Sequence, residues 1–181
     1  MMVDMDEENG LHYPSRAVVD TCVLLNIALG SHDNGGPERL SRSEGLIDDA
    51  IGGKLELSMP PLALVEPSTD HILRAGKNVP PKQFREEKKL AMDWCMNCSL
   101  PMAELTKGAA EWFNETSCVQ GIRTADACVL ATARYAEASV IYTWDEDFRK
   151  KVNATDESDG IGIVAKEPPE RVPHLFEAEI G

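Results

Sequence analysis

Residues 124–148 read TADACVLATARYAEASVIYTWDEDF, and the order of residue types in this stretch decides the fold. Thr124 opens an Ala-rich helix that runs through ADACVLATARYAEA. Ser139 to Thr143 (SVIYT) follows at once. It is too short for a helix and rich in β-branched and aromatic residues, so it reads as a strand. Asp145 to Val152 then forms a short helix or turn. A helix leading straight into an apolar strand belongs to a βαβ unit, from which parallel sheets are built.

Outward from this stretch the alternation continues in both directions. Arg16-Ala-Val-Val-Asp20 is a short apolar run that ends in an acid, as expected of a strand buried on both faces. Thr21 to Leu29 reads as a helix closed by Gly30, and residues 31–37 as a loop. Pro37 to Ile51 reads as a second helix stopped by Gly52-Gly53. Leu55 to Met59 alternates as a strand does, and Pro60-Pro61 breaks it. Leu62 to Arg74 is expected to be helical, with Pro67 inside it. Gly76 to Pro81 is a linker, and Lys82 to Cys98 is a helix with one charged face. Residues 99–106 fit a short strand, Lys107 to Val119 a helix, and Ile161 to Val164 a last strand. There is no internal repeat. The whole is α/β with a mainly parallel sheet.

The chain has 181 residues, with 31 Asp+Glu against 18 Lys+Arg, for a net charge of −13. Hydrophobic residues make up 43 %, which excludes wholesale disorder and allows one domain with a full core. So large an acidic excess argues against nucleic acid as a partner. Its distribution reopens that question. Residues 16–153 hold 20 acidic and 16 basic residues, a net of −4. The remaining excess lies in residues 1–15 and 154–181. The expected organisation is an acidic flexible extension over residues 1–15, a domain over 16–170 and a tail over 171–181. No apolar run reaches membrane-span length, and the opening MMVDMDEENG is acidic where a secretory signal is basic. With five Cys, an odd number, this points to a reducing cytoplasm. Cys95 and Cys98 have the spacing of half a zinc knuckle. No second close pair accompanies them, so burial as small apolar side chains is the favoured reading.

Two acids sit where the chain leaves a strand: Asp20 after AVV and Asp145 just after VIYT. In open α/β sheets ligands bind outside the carboxyl ends of the strands. Asp126, in a first helical turn, and Glu66, early in another helix, face that same end if each helix runs antiparallel to its strand. Each acid also has a plain structural reading. Asp20 and Asp126 suit helix starts, Glu66 a solvated surface, and Asp147 a surface position or a cap. The occurrence of an acid at both strand exits weighs against that reading for the set. Gathered carboxylates repel one another unless a cation compensates. An all-carboxylate set without His or Cys suits Mg2+ or Mn2+, which also bridge to phosphates. The −4 of the core equals the formal charge of Asp20, Glu66, Asp126 and Asp145, so bound divalent cations would leave a core that a phosphate ester can approach, as in a metal-dependent nuclease or phosphatase.

VVDTCVLLNIAL, LELSMPPLALVE, TADACVLATARYAEASVIYTWDEDF and GIGIVAKEPPE, in that order, resemble the PIN domain family, and within it the VapC-like toxins of toxin–antitoxin pairs. The resemblance runs from about Arg16 to about Glu170. It implies a PIN-like, about five-stranded mainly parallel sheet flanked by helices, and Mg2+- or Mn2+-dependent hydrolysis of RNA that leaves a 5′-phosphate and a 3′-hydroxyl. Carried over by motif, Asp20, Glu66, Asp126 and Asp145 are the catalytic and metal-holding carboxylates, and Asp147 matches a further acid. Thr21 and Thr143 match supporting hydroxyl positions. The resemblance also implies a homodimer and a small antitoxin partner. Three features depart from the family. Cys22 stands where Ser or Asn is common, Pro67 follows Glu66 directly, and the chain is longer than usual.

For the RNA path, Arg39, Arg42, Arg149 and Lys150 flank the expected crevice, and Trp144 is placed either to stack on a base or to plug the end of the sheet. The expected protein is therefore a cytoplasmic, metal-dependent endoribonuclease, the toxin of a toxin–antitoxin pair. The alternatives are a PIN-like module that binds RNA or protein without cutting, and a PIN nuclease of RNA processing. A phosphatase with Asp20 as nucleophile ranks lower, because Cys22 occupies the place where a second Asp is wanted.

Overall fold

The computed structural model describes residues 13–30, 35–68, 81–115 and 121–170. Among these residues four parallel strands form one sheet in the order β2-β1-β3-β4: β1 is Arg16–Val19, β2 Glu56–Ser58, β3 Val140–Tyr142 and β4 Val164–Lys166. Val18 of β1 lies in register with Ser58 on one side and Ile141 on the other, and Ile141 with Ala165. The period of two along each strand then separates the core into two halves. Ala17, Val19, Val140 and Tyr142 enter one half, and Val18 and Ile141 enter the other.

The helices follow from which half they cover. Helix α1 (Thr21–Leu29) and helix α2 (Gly36–Ile51) bring Val23, Leu24, Leu46 and Ile47 to the first half. Helix α3 (Leu62–Val65) adds Ala63, and helix α4 (Pro81–Asn97) adds Cys95. Helix α5 (Lys107–Glu115), helix α6 (Thr124–Tyr135) and helix α7 (Glu146–Asp159) cover the second half, with Val129, Leu130, Ala133, Phe148 and Val152 fully inside. Each such buried aliphatic or aromatic side chain contributes about 1.5–3 kcal/mol relative to exposure. The architecture is the expected α/β fold, a parallel sheet flanked by helices, with four strands among the described residues where about five were expected.

Four local expectations change. Residues 99–106 do not form a strand. Met59 and Met102 make one parallel bridge, through Met59 N–H to the Pro101 carbonyl (3.0 Å) and Ala103 N–H to the Met59 carbonyl (3.0 Å). The last strand is Val164–Lys166, not 161–164. Gly160 and Gly162 both adopt positive φ (61° and 73°), which turns the chain there, so Ile161 and Ile163 are buried without pairing. The helix after Asp145 runs on to Asp159 because Phe148, Val152 and Thr155 form one buried stripe under a polar exterior. The helix at residue 62 ends at Val65 and passes into a 3-10 turn over Glu66–Ser68, where Pro67 has no N–H to continue it.

The acidic ends (1–12 and 171–181), residues 31–34 of the expected loop, residues 69–80 and residues 116–120 lie outside the described residues. Cys95 is buried in the core and its thiol is pushed up to about 11 by that burial, with Cys98 beside it. Among the described residues no helix is long and apolar enough to cross a membrane.

Candidate active site

Asp20 is the first residue beyond β1 and the N-cap of α1. Its side chain makes no cap hydrogen bond, and its carboxylate instead engages Thr143 and Cys22. Thr143, the first residue beyond β3, donates from Oγ1 to Asp20 Oδ2 at 2.6 Å. Cys22 Sγ donates to the same oxygen at 3.1 Å. The thiol also contacts Thr143 Oγ1 at 3.3 Å and accepts the Trp144 N–H at 3.2 Å. Cys22 therefore supplies hydrogen bonding at the position where Ser or Asn is common. Burial pushes its pKa well above the usual thiol range and the Asp20 charge adds to this, so it stays a neutral donor.

Asp20 itself is buried. Burial raises its pKa, the Thr143 and Cys22 hydrogen bonds pull it down, and the Asp126 charge pushes it up again, with a net rise. Glu66, at the start of the 3-10 turn, has its pKa raised by burial and by the charges of Asp20 and Asp126, while Thr21 and Arg123 oppose the rise. Pro67 thus leaves the Glu66 carboxylate within the field of the other acids. The Thr21 hydroxyl is buried beside it without a hydrogen bond of ordinary geometry among the described residues.

Asp126 lies buried in the first turn of α6. Its helix start does face the carboxyl ends of the strands, since Arg123 joins Asp126 to Asp145, which lies just beyond β3. Asp145 is the N-cap of α7, its Oδ1 accepting the Phe148 N–H at 2.9 Å. Burial alone would raise the Asp145 pKa. The Phe148 amide and the Arg123 guanidinium outweigh it, and the pKa falls. The Asp145 N–H in turn donates to Thr143 Oγ1 at 3.0 Å. Asp147 is exposed in the same first turn, where its charge acts on Lys150.

One residue of the site has no counterpart in the expected set. Arg123, the N-cap of α6, donates from Nε to Asp126 Oδ2 at 2.9 Å and from Nη2 to Asp126 Oδ1 at 3.4 Å and to Asp145 Oδ2. Its spacing of three from Asp126 was the available signal, since such pairs meet at a helix start.

The basic residues of the expected RNA path divide. Arg42 is drawn into the fold by the Pro168 carbonyl (2.8 Å) and Glu167 (3.1 Å), and Arg149 pairs with the same Glu167. Lys150 is exposed and pairs with Glu146 at 2.6 Å. Arg39 is exposed and lies 5.0 Å from the centre of the Trp144 ring, and Arg42 lies 4.9 Å from it. Trp144 is buried and donates from Nε1 to Ser43 Oγ at 2.9 Å, so it plugs the end of the sheet. A cleft of about 800 Å³ lined by Trp112, Arg134 and Tyr135 opens at the opposite end, beside Ser139 and Ile163, and includes none of the four acids.

The donor set suits a hard divalent cation in its chemistry: four carboxylates, two hydroxyls, no His and no thiolate. The side-chain arrangement differs, since among the described residues no three acidic, His or Cys groups are spaced to hold an ion. Arg123 already engages Asp126 and Asp145.

A family model described as PIN domain matches residues 17–153. No curated protein matches the chain. PIN domains are generally nucleases, and those nucleases typically use divalent metals. The matched span holds β1 from Ala17 on, β2, β3 and all four acids. With most of its length inside the match and the parallel sheet in place, this chain belongs to the PIN domain family.

Proposed function

We propose that the protein is a Mg2+- or Mn2+-dependent endoribonuclease and the toxin of a toxin–antitoxin pair. The observation that carries the nuclease reading is the gathering of Asp20, Glu66 and Asp126 within one another's field at the carboxyl ends of the strands, with Asp145 joined to Asp126 through Arg123. A fold keeps like charges together at a cost in stability when the site needs them. When bound, a divalent cation supplies positive charge for phosphate oxygens and makes water more acidic. Asp20, Glu66, Asp126 and Asp145 are the residues that would hold it. Thr143 fixes the orientation of Asp20 by its 2.6 Å hydrogen bond, and Cys22 shares that task. Asp147 is the marginal member of the set, placed at the rim.

RNA is the proposed substrate because the core outside the four acids is formally neutral and Arg39 is exposed beside the crevice end of the sheet. The proposed partners are a second copy of the chain and a small antitoxin. Val65, 56 % exposed one residue before Glu66, offers an apolar contact to a segment laid over the crevice. The proposed location is the cytoplasm.

The test is cleavage of an end-labelled RNA by purified protein with Mn2+, Mg2+ or chelator. Cleavage should require the metal and should disappear in Asp20→Asn and Asp126→Asn. Full cleavage by both variants would remove the site assignment.

The second reading is a PIN-like module that binds RNA or protein without cutting. It is favoured by one observation, the engagement of Asp126 and Asp145 by Arg123. RNA binding by the wild type without Mn2+ binding in calorimetry would select it.

A further inference from the structure

Arg123 places one cation against two acids that come from different elements, Asp126 from α6 and Asp145 from the cap of α7. Its side chain is 64 % exposed, against 12 % for Asp126 and 29 % for Asp145. The guanidinium therefore sits outside and the carboxylates inside, like a lid made of charge. Among the described residues nothing buries the lid. Arg123 precedes α6 in extended backbone (φ −69°, ψ 154°), so its side chain can swing outward without disturbing a helical turn. Among the described residues it is the cation hydrogen-bonded to these acids, since Arg149 and Lys150 are paired to Glu167 and Glu146.

The oxygens that Arg123 holds are the ones a divalent cation would need. Asp145 has already given Oδ1 to the Phe148 amide, and Arg123 takes Oδ2. Asp126 has both oxygens facing the guanidinium, at 2.9 Å and 3.4 Å. The geometry points to Arg123 as a built-in competitor for the divalent cation, which holds Asp126 and Asp145 until a cation displaces it. Displaced, the guanidinium remains at the rim of the crevice, where a phosphate group of the substrate can take it up bidentately. Arg123 thus couples metal loading to substrate binding. The inference rests on the metal-dependent nuclease reading and adds how that site is regulated.

Mn2+ titration by calorimetry, without RNA, compares wild type, Arg123→Gln and Arg123→Lys, each checked for folding by circular dichroism. The Gln variant is expected to bind Mn2+ on the order of tenfold more tightly, the gain from releasing two partly exposed ion pairs. The Lys variant should fall between, keeping the charge without the fork. In 15N-labelled wild type, the Arg123 Nε–H resonance should move toward that of a free arginine as Mg2+ is added. A merely structural role would lower the melting temperature of the Gln variant and leave its Mn2+ affinity alone. If the wild type binds Mn2+ and the Gln variant binds no more tightly, the inference is overturned and the nuclease reading stands. If neither folded protein binds Mn2+, both are overturned.

Discussion

Thr143 and Asp20 lie 123 positions apart in the chain and are joined by a buried 2.6 Å hydrogen bond at the ends of adjacent strands. The same hydroxyl accepts the Asp145 N–H, so one side chain aligns the two strand-exit acids. Thr143→Val keeps the shape and removes both bonds. It should cost about 1–3 kcal/mol, the penalty of leaving buried polar groups unmade. Thermal melts should show a clear fall for Val and little change for Ser. Equal melting points for all three proteins would mean that this bond does not order the site.

Asp20 is raised chiefly by burial, so the folded protein holds its proton more tightly than the unfolded chain. Stability therefore falls as pH rises from near the ordinary value of 3.8 through the folded value. Asp20→Asn carries no such charge. It should match the wild type below about pH 4 and melt higher at neutral pH, by roughly 2–4 °C for each kcal/mol relieved. A neutral-pH melting point below the wild type would show that Asp20 stabilises the fold as a charge.

Cys22 bridges Asp20, Thr143 and the Trp144 amide. Cys22→Ser preserves a donor and an acceptor and should keep RNA cleavage within a few-fold of the wild type. Cys22→Ala leaves the Trp144 N–H without its sulfur and should lose about 1 kcal/mol of stability. Cleavage assays and melts on the two variants separate hydrogen bonding from sulfur chemistry. A Ser variant as impaired as the Ala variant would assign a role to the sulfur itself.

Arg42 was expected on the RNA path and is found tying α2 to the segment after β4 through the Pro168 carbonyl and Glu167. Arg42→Lys keeps the charge but loses the fork. It should destabilise the fold by about 1–3 kcal/mol and leave RNA affinity unchanged once folded. A fluorescence binding titration with a stable melting point and weakened RNA binding would restore Arg42 to the substrate path.

The legible part of the sequence was whatever burial and strand exit dictate together. VVD and VIYTWD carry an apolar strand and its terminal acid in consecutive letters, so β1, β3, Asp20 and Asp145 could be read directly. Asp126 and Glu66 were legible as acids at helix starts, but which end of the sheet they face depends on helix direction, a property of packing. The Ile161–Val164 stretch misplaced the last strand because apolar residues report burial and say nothing of pairing. Arg123 was passed over for a different reason. An arginine at a helix cap is marked only by its spacing from Asp126, and its other partner Asp145 is 22 positions away. Arg42 and Arg149 were assigned outward because their common partner, Glu167, lies far along the chain.

The inner position of β1 has a consequence for how the protein is made. A chain emerging from the ribosome can pair β1 with β2 early, but β3, the other neighbour of β1, ends at Tyr142. Contacts of such sequence separation form late and slowly. Until then Asp20 lacks Thr143, and Asp126 has no Asp145 across from it. The half-made chain holds scattered acids and no crevice. On the proposed function, a nuclease built on this strand order would lack its complete site until β3 has been made.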